Sequence, residues 1–275
     1  MSLFAVTVKP RKNHEAVLAA LFDAGSMGVH EDGDTLVTNL PDDAGVELLR
    51  QRVAAVDPGA EVDVIPVTPP DFSEWRGTVT AHTVGRITVA PPWVDVEAAG
   101  HLVLIEPAMA FGTGEHATTR LCLSLLQRVI RPGDTVADLG SGSGVLSIAA
   151  AKLGARSVAA IEIDPDATSN AEDNVARNHV GDLVHTFEGD ATVLLPLIAP
   201  VRVVIANILS SVISAMLPVI TASLSSDGEA VFSGIMLEER EAMLDTLRSA
   251  GWRVTAEESE GEWWGAVAVV GITDH

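Results

Sequence analysis

Apolar positions alternate between two periods along this chain, and the switches between them outline its elements. Residues 3–8 read as a strand, and residues 13–24 as a helix with Val17, Leu18 and Leu21 on one face. Two short strands, 27–30 and 35–39, flank Asp32-Gly33-Asp34, a hairpin signal. A second amphipathic helix over 46–56 and a strand over 61–67 complete the order β-α-β-β-α-β, the ferredoxin-like split unit. This α+β module carries no carboxylate pair or histidine cluster at a chemical spacing. It reads as a substrate-holding appendage or, alternatively, as a stabilising cap.

Pro66, Pro69 and Pro70 then interrupt the pattern, which predicts a stiff linker over 67–78 between a domain of residues 1–66 and a second of 79–275. Strands are expected at 86–90 and 101–106, around Pro91-Pro92-Trp93. Beyond them strands and helices take turns. Residues 118–130 form a helix with Leu121, Leu125 and Val129 on one face, stopped by Arg131-Pro132-Gly133. Strands follow at 135–139, 157–163, 183–188, 202–206 and 229–233, with helices between them. Asp164-Pro165 opens one of these helices as N-cap and first helical residue. Segments 252–256 and 266–270 form a terminal antiparallel pair. The alternation predicts an α/β, Rossmann-like domain with a mostly parallel, seven-stranded sheet and helices on both faces.

Charge and composition narrow the partners. The chain is 47% hydrophobic and 20% charged, ordinary for a globular protein. Its 17 Lys and Arg against 38 Asp and Glu leave a net charge of -21, which repels phosphate backbones and suits a basic protein partner or serves solubility alone. Direct nucleic-acid binding is not expected. The single cysteine, Cys122, excludes an internal disulfide or a cysteine metal cluster, and no metal is expected. The first residues lack a signal-peptide layout and no apolar stretch is long enough to cross a bilayer, so a soluble cytoplasmic protein without membrane contact is expected.

Candidate chemistry centres on residues 135–148, a strand running into Gly140-Ser-Gly142-Ser-Gly144 and then a helix. Glycines let the backbone approach a ligand, and the helix start offers unpaired N–H groups. The dinucleotide fingerprint fails here: its third glycine falls on Val145 counting from Gly140, or on Ser147 counting from Gly142. Glu162, about 20 residues on, ends a strand where a carboxylate can hold both ribose hydroxyls. A ribose carboxylate without the pyrophosphate glycine points to an adenosine ligand lacking phosphates, of which S-adenosylmethionine is the common one.

A second glycine loop, Glu106-Pro-Ala-Met-Ala-Phe111-Gly112-Thr-Gly114-Glu-His116-Ala-Thr118-Thr119, also enters a helix. With Asp164-Pro165, Asn174, Asn178, Ala206-Asn207-Ile208-Leu209, Ser233-Gly234-Ile235 and Gly261-Glu262-Trp263, the chain resembles the bacterial methyltransferase family that modifies large-subunit ribosomal protein eleven. The resemblance runs from residue 71 to the end; before that it rests on element order and size. It implies a protein N-methyltransferase acting on the α-amine and lysines of that ribosomal protein. It implies cofactor contacts for Thr119, Gly140, Glu162 and Asn207, with Gly142 in the same turn and Phe111, Gly112 and Gly114 in the loop over the methionine end. Asp190 falls where related methyltransferases contact the adenine edge, and Glu162 stands where the family usually has aspartate. Asn207 is the candidate to orient the incoming amine, against the reading of a turn residue. His116 is either a second catalytic residue or a loop histidine satisfied by backbone groups. Trp263 and Trp264 read as packing. The chain lacks the prolines and tyrosine that follow this asparagine in enzymes acting on planar amides or bases, which favours an aliphatic amine. The alternatives are a methyltransferase of the same fold acting on another protein or a small-molecule amine, and a non-catalytic S-adenosylmethionine-binding regulator.

Overall fold

A computed structural model describes residues 3–26, 29–33, 35–40, 43–67, 79–106 and 114–271. The chain divides into two compact units, residues 1–78 and 79–275.

The first unit contains β1 (Leu3–Lys9), α1 (His14–Asp23), β2 (Val29–Asp32), β3 (Thr35–Leu40), α2 (Asp43–Val56) and β4 (Glu61–Val67), in the order read from the sequence. Its antiparallel sheet is ordered β2-β3-β1-β4. Strand alternation sends Val6, Val8, Leu36 and Leu40 to one face, where they meet Val17, Leu21, Leu49 and Val53 of the helices. The Asp57 carboxylate closes the unit by accepting the backbone N–H groups of Arg11, Lys12 and Asn13 at 2.8, 2.7 and 3.3 Å. These donors hold its pKa below the ordinary carboxylate value. Residues 68–78, nearly all of the expected linker, lie outside the described residues.

The second unit opens with a small sheet of β5 (His82–Val84), β6 (Ile87–Ala90) and β7 (His101–Leu104). The main sheet has seven strands: β8 (Thr135–Leu139), β9 (Ser157–Glu162), β10 (Val184–Glu188), β11 (Val201–Asn207), β12 (Leu224–Met236), β13 (Trp252–Glu260) and β14 (Trp263–Val270). They lie in the order β10-β9-β8-β11-β12-β14-β13. Strands β8 to β12 are parallel to one another, and β14 is antiparallel to both β12 and β13. Several expectations change in detail: the terminal pair is longer than 252–256 and 266–270, and the strand expected at 101–106 ends at Leu104. β5 is an additional strand, and β12 is far longer than 229–233, because it starts at Leu224 opposite Val201 and passes an irregularity before regular pairing resumes at Glu229.

Helices α3 (Ala117–Val129), α4 (Val145–Lys152) and α5 (Pro165–Arg177) cover one face; α6 (Ala191–Ile198), α7 (Ser210–Ser223) and α8 (Arg240–Ser249) cover the other. The parallel strands read as unbroken apolar runs because both faces are covered. Within β11, Val203 and Ile205 enter the first layer while Val204 and Ala206 enter the second, and all four are fully buried.

Candidate functional site

The chain leaves β8 towards β9 on one side and returns to pair β11 with β8 on the other. At such a switch point the connections diverge and open a crevice beyond the carboxyl ends of the strands. The turn at the end of β8 is built on left-handed backbone at Gly140, Gly142 and Gly144, with φ of 72°, 53° and 79°. A side chain is excluded twice over at Gly140: a Cβ there would sit 2.6 Å from Cγ2 of Ile208. The turn is pinned by the N–H groups of Gly140 and Ser141, which both donate to the Ile161 carbonyl at 2.8 and 3.1 Å.

A cavity of about 360 Å³ occupies this crevice, within the size range of small-molecule sites. Of the residues singled out in the sequence, Thr119, Gly140, Gly142, Glu162, Asp190 and Asn207 all line it. They come from five separate segments, so the fold brings together what the sequence spreads over 89 positions, from 119 to 207. The Glu162 carboxylate accepts N–H groups from Gly142 at 2.9 Å, Ile163 at 2.8 Å and Asp164 at 3.1 Å, tying the glycine turn to the end of β9. Asp190 caps α6 through Thr192, whose hydroxyl and N–H hold the Asp190 pKa down. Sequence reading missed the apolar wall, including Ile163, Ile208, Val212 and Met216. Ile163 is a large apolar residue left 71% exposed just beyond the end of β9.

Four other residues singled out in the sequence fall differently. Gly114, at φ 89°, does not line the cavity; a Cβ there would meet Val89 at 2.7 Å, so its smallness serves packing on β6. Phe111 and Gly112 lie outside the described residues. His116 is the N-cap of α3: its Nδ1 accepts the Thr118 N–H at 3.4 Å and its ring stands edge-on to Trp263 with centroids 4.9 Å apart. Burial, and then the nearby Arg120 charge, lower its pKa, which favours the neutral ring that a cap acceptor requires. These contacts give His116 a structural task, and it is not part of the cavity wall.

Buried polar atoms without partners mark where a ligand is needed. Thr119 Oγ1, Ser141 Oγ and Asn207 Oδ1 line the cavity and have no hydrogen bond among the described residues. Beneath the glycine turn, Asp138 Oδ1 is in the same condition, while its Oδ2 accepts the Ser147 hydroxyl at 2.6 Å. Such atoms are rare in folded proteins because each forfeits its hydration. Two hydroxyls and an amide oxygen around one crevice suit a ligand rich in amine and hydroxyl groups. Burial also pushes the Asp138 carboxyl up to about 7.

A second-layer residue joins the two glycine loops. Asn174 of α5 is fully buried; its Oδ1 accepts the Glu106 N–H at 2.9 Å and Arg177 Nη1 at 2.6 Å, while its Nδ2 donates to the Ser143 carbonyl at 3.1 Å. Asn178, one turn on, exchanges two bonds with the Leu104 backbone at 2.9 and 2.6 Å.

Residues 72–270 match the family model described as Ribosomal protein L11 methyltransferase (PrmA). The chain belongs to this family. It is 38% identical to the ribosomal protein L11 methyltransferase of Pelotomaculum thermopropionicum over 234 residues, covering 82% of this chain and 75% of that protein. It is 36% identical to that of Thermus thermophilus over 250 residues, covering 90% of this chain and 92% of that protein. A crystal structure of ribosomal protein L11 methylase from Lactobacillus delbrueckii subsp. bulgaricus aligns with a TM-score of 0.65 and 28% identity, over 70% of this chain and all of that one. The family resemblance, the Rossmann-like fold, the enzyme class and the S-adenosylmethionine cofactor expected from the sequence are thereby supported. The family gives no support to the regulator or to the other-substrate reading. The cavity lining fits this cofactor: the Glu162 carboxylate is an acceptor suited to ribose hydroxyls, and the unpartnered Thr119, Ser141 and Asn207 atoms suit the polar groups of an amino-acid moiety.

Proposed function

We propose that this enzyme methylates the α-amine and lysine amines of ribosomal protein L11, with Asn207 orienting the amine. The observation that carries the reading is Asn207 Oδ1: buried, without a partner, and at the end of β11 facing the glycine turn. An acceptor in that condition calls for an N–H donor, and an attacking amine is one. Glu162 would hold the ribose hydroxyls and Asp190 the adenine edge, with Thr119 and the glycine turn taking the remainder of the cofactor. When bound, the cofactor supplies a methyl group on a positively charged sulfur, a good leaving group.

The task left to the protein is to present a neutral amine in line. As nitrogen bonds to the methyl carbon, the carbon–sulfur bond breaks and its electron pair returns to sulfur; the amine then sheds a proton to water. Orientation of this kind supplies ~7–11 kcal/mol. Neutralising a lysine at pH 7 costs roughly 4–5 kcal/mol, against about 1 for an α-amine. The apolar wall of Ile208, Val212 and Met216 lowers that cost by disfavouring the ammonium form. Residues 1–66, with no catalytic group of their own, would grip the substrate.

The test is mass spectrometry of L11 incubated with enzyme and S-adenosylmethionine. Increments of about 14 daltons on amines are expected; unmodified L11 with bound cofactor would refute the substrate. Asn207→Ala should lower kcat on the order of 100-fold, the scale of a misplaced reactant, and leave cofactor affinity within about threefold. Equal losses in both would remove the orienting role.

A further inference from the structure

The turn that carries Asn207 is held from behind by a latch whose residues, Ser210 and Glu239, do not line the cavity. Ile208 is clamped between two glycines. On one side lies Gly140 of the cofactor turn; on the other is Gly234, at φ 81°, in the irregular stretch of β12 between Phe232 and Ile235. A Cβ on Gly234 would stand 2.5 Å from the Ile208 carbonyl oxygen, so β12 approaches the turn as closely as backbone allows. One residue after the turn, Ser210 begins α7, whose N-cap Leu209 offers no side-chain hydrogen bond. The Ser210 hydroxyl instead donates to Glu239 Oε1 at 2.6 Å, and Glu239 Oε2 accepts the Met236 N–H at 3.0 Å. The neighbouring Arg240 forks onto Glu257 at 2.9 and 2.8 Å, and Glu257 also accepts the Trp264 indole N–H at 2.9 Å. One carboxylate therefore joins the end of β12 to the start of α7, with its own position fixed from β13 and β14.

We propose that Glu239, through Ser210, is a positioning residue for methyl transfer: it sets the turn 207–210 so that the Asn207 amide meets the acceptor amine. The proposal rests on the reading of Asn207 given above. Glu239 touches neither cavity nor cofactor turn, so its loss is expressed in turnover and not in cofactor binding. The latch needs two hydrogen-bonding directions, one towards Ser210 and one towards the Met236 N–H, but no negative charge. A glutamine can accept from Met236 with its oxygen and donate to Ser210 with its amide, because a serine hydroxyl is both donor and acceptor.

The experiment is a double-mutant cycle between positions 239 and 207, reading kcat on L11 and the Kd of S-adenosylhomocysteine. Glu239→Ala should lower kcat at least tenfold with Kd within threefold of the parent, Ser210→Ala should reproduce most of that loss, and Glu239→Gln should restore it. In the Asn207→Ala background, Glu239→Ala should cost less than twofold further. Additive losses would show that Glu239 acts independently of Asn207 and overturn the proposal, as would an unchanged kcat in Glu239→Ala. A parallel fall in kcat and cofactor affinity would reduce Glu239 to a fold-keeping residue. Ser210→Ala deletes a single half-buried oxygen and serves if Glu239→Ala fails to fold. If Asn207→Ala alone leaves turnover intact, the reading of Asn207 falls first and the latch with it.

Discussion

Asp138 is a carboxylic acid held almost wholly out of water. It is 1% exposed, and burial raises its pKa to about 7, partly offset by the Ser147 hydrogen bond. Its folded pKa is above the unfolded value, so the folded state binds the extra proton between roughly pH 4 and 7. The cofactor-free enzyme should therefore lose stability as pH rises through that window and level off above it. Asp138→Asn, which keeps an acceptor for Ser147 and cannot ionise, should abolish that part of the slope in thermal melts; an unchanged slope would assign it elsewhere. Legibility at this scale followed chain proximity. The sequence displayed Gly140, Glu162 and Asn207 because strand ends and turn residues announce themselves. Ser210 and Glu239 stayed hidden, since nothing local says that a serine and a glutamate 29 positions apart will meet.

At the scale of elements, α5 acts as more than a cover for the sheet. Asn174 and Asn178 lie one turn apart on its buried side and offer their amides to the end of β7, in place of a further strand. Asn174 also holds Ser143, so the entry to one glycine loop and the body of the other hang on one side chain. Asn174→Ala leaves buried partners unmatched, at about 1–3 kcal/mol. It should weaken S-adenosylhomocysteine binding by tenfold or more in calorimetry, while Asn170→Ala, whose amide bond to the Glu106 carbonyl is a long 3.4 Å, should have little effect. Element legibility tracked burial. β8 appeared at its true bounds because both faces are covered, whereas the three-residue β5, none of it fully buried, has no such run. The start of β12 was missed because Ser225-Ser226-Asp227-Gly228 reads as a turn even while the strand passes through it.

For the whole molecule the governing quantity is charge. A net charge of -21 creates an attractive field for a basic ribosomal protein and repels nucleic-acid backbones. Such steering acts on encounter and is screened within about 8–10 Å at physiological ionic strength. Raising salt from 50 to 300 mM should therefore raise KM for L11 several-fold with kcat nearly constant; a salt-independent KM would assign the acidity to solubility. At this scale the α/β class was legible in the strand–helix alternation, whereas the strand order of the main sheet, set by pairings between distant segments, was not. Among the described residues, no helix is long and apolar enough to cross a membrane.

The contact of Ile208 with Gly140 on one side and Gly234 on the other has a meaning for anyone redesigning this enzyme. On the proposed reading, methyl donor and acceptor share the wall at Ile208, whose side chain lies against Gly140 and whose backbone lies against Gly234. A bulkier donor analogue that pushes on position 140 is felt at position 208, and enlarging position 208 to reshape the acceptor side intrudes on the donor. New specificities on this frame will have to be selected for both substrates at once, with positions 140, 208 and 234 varied as one unit.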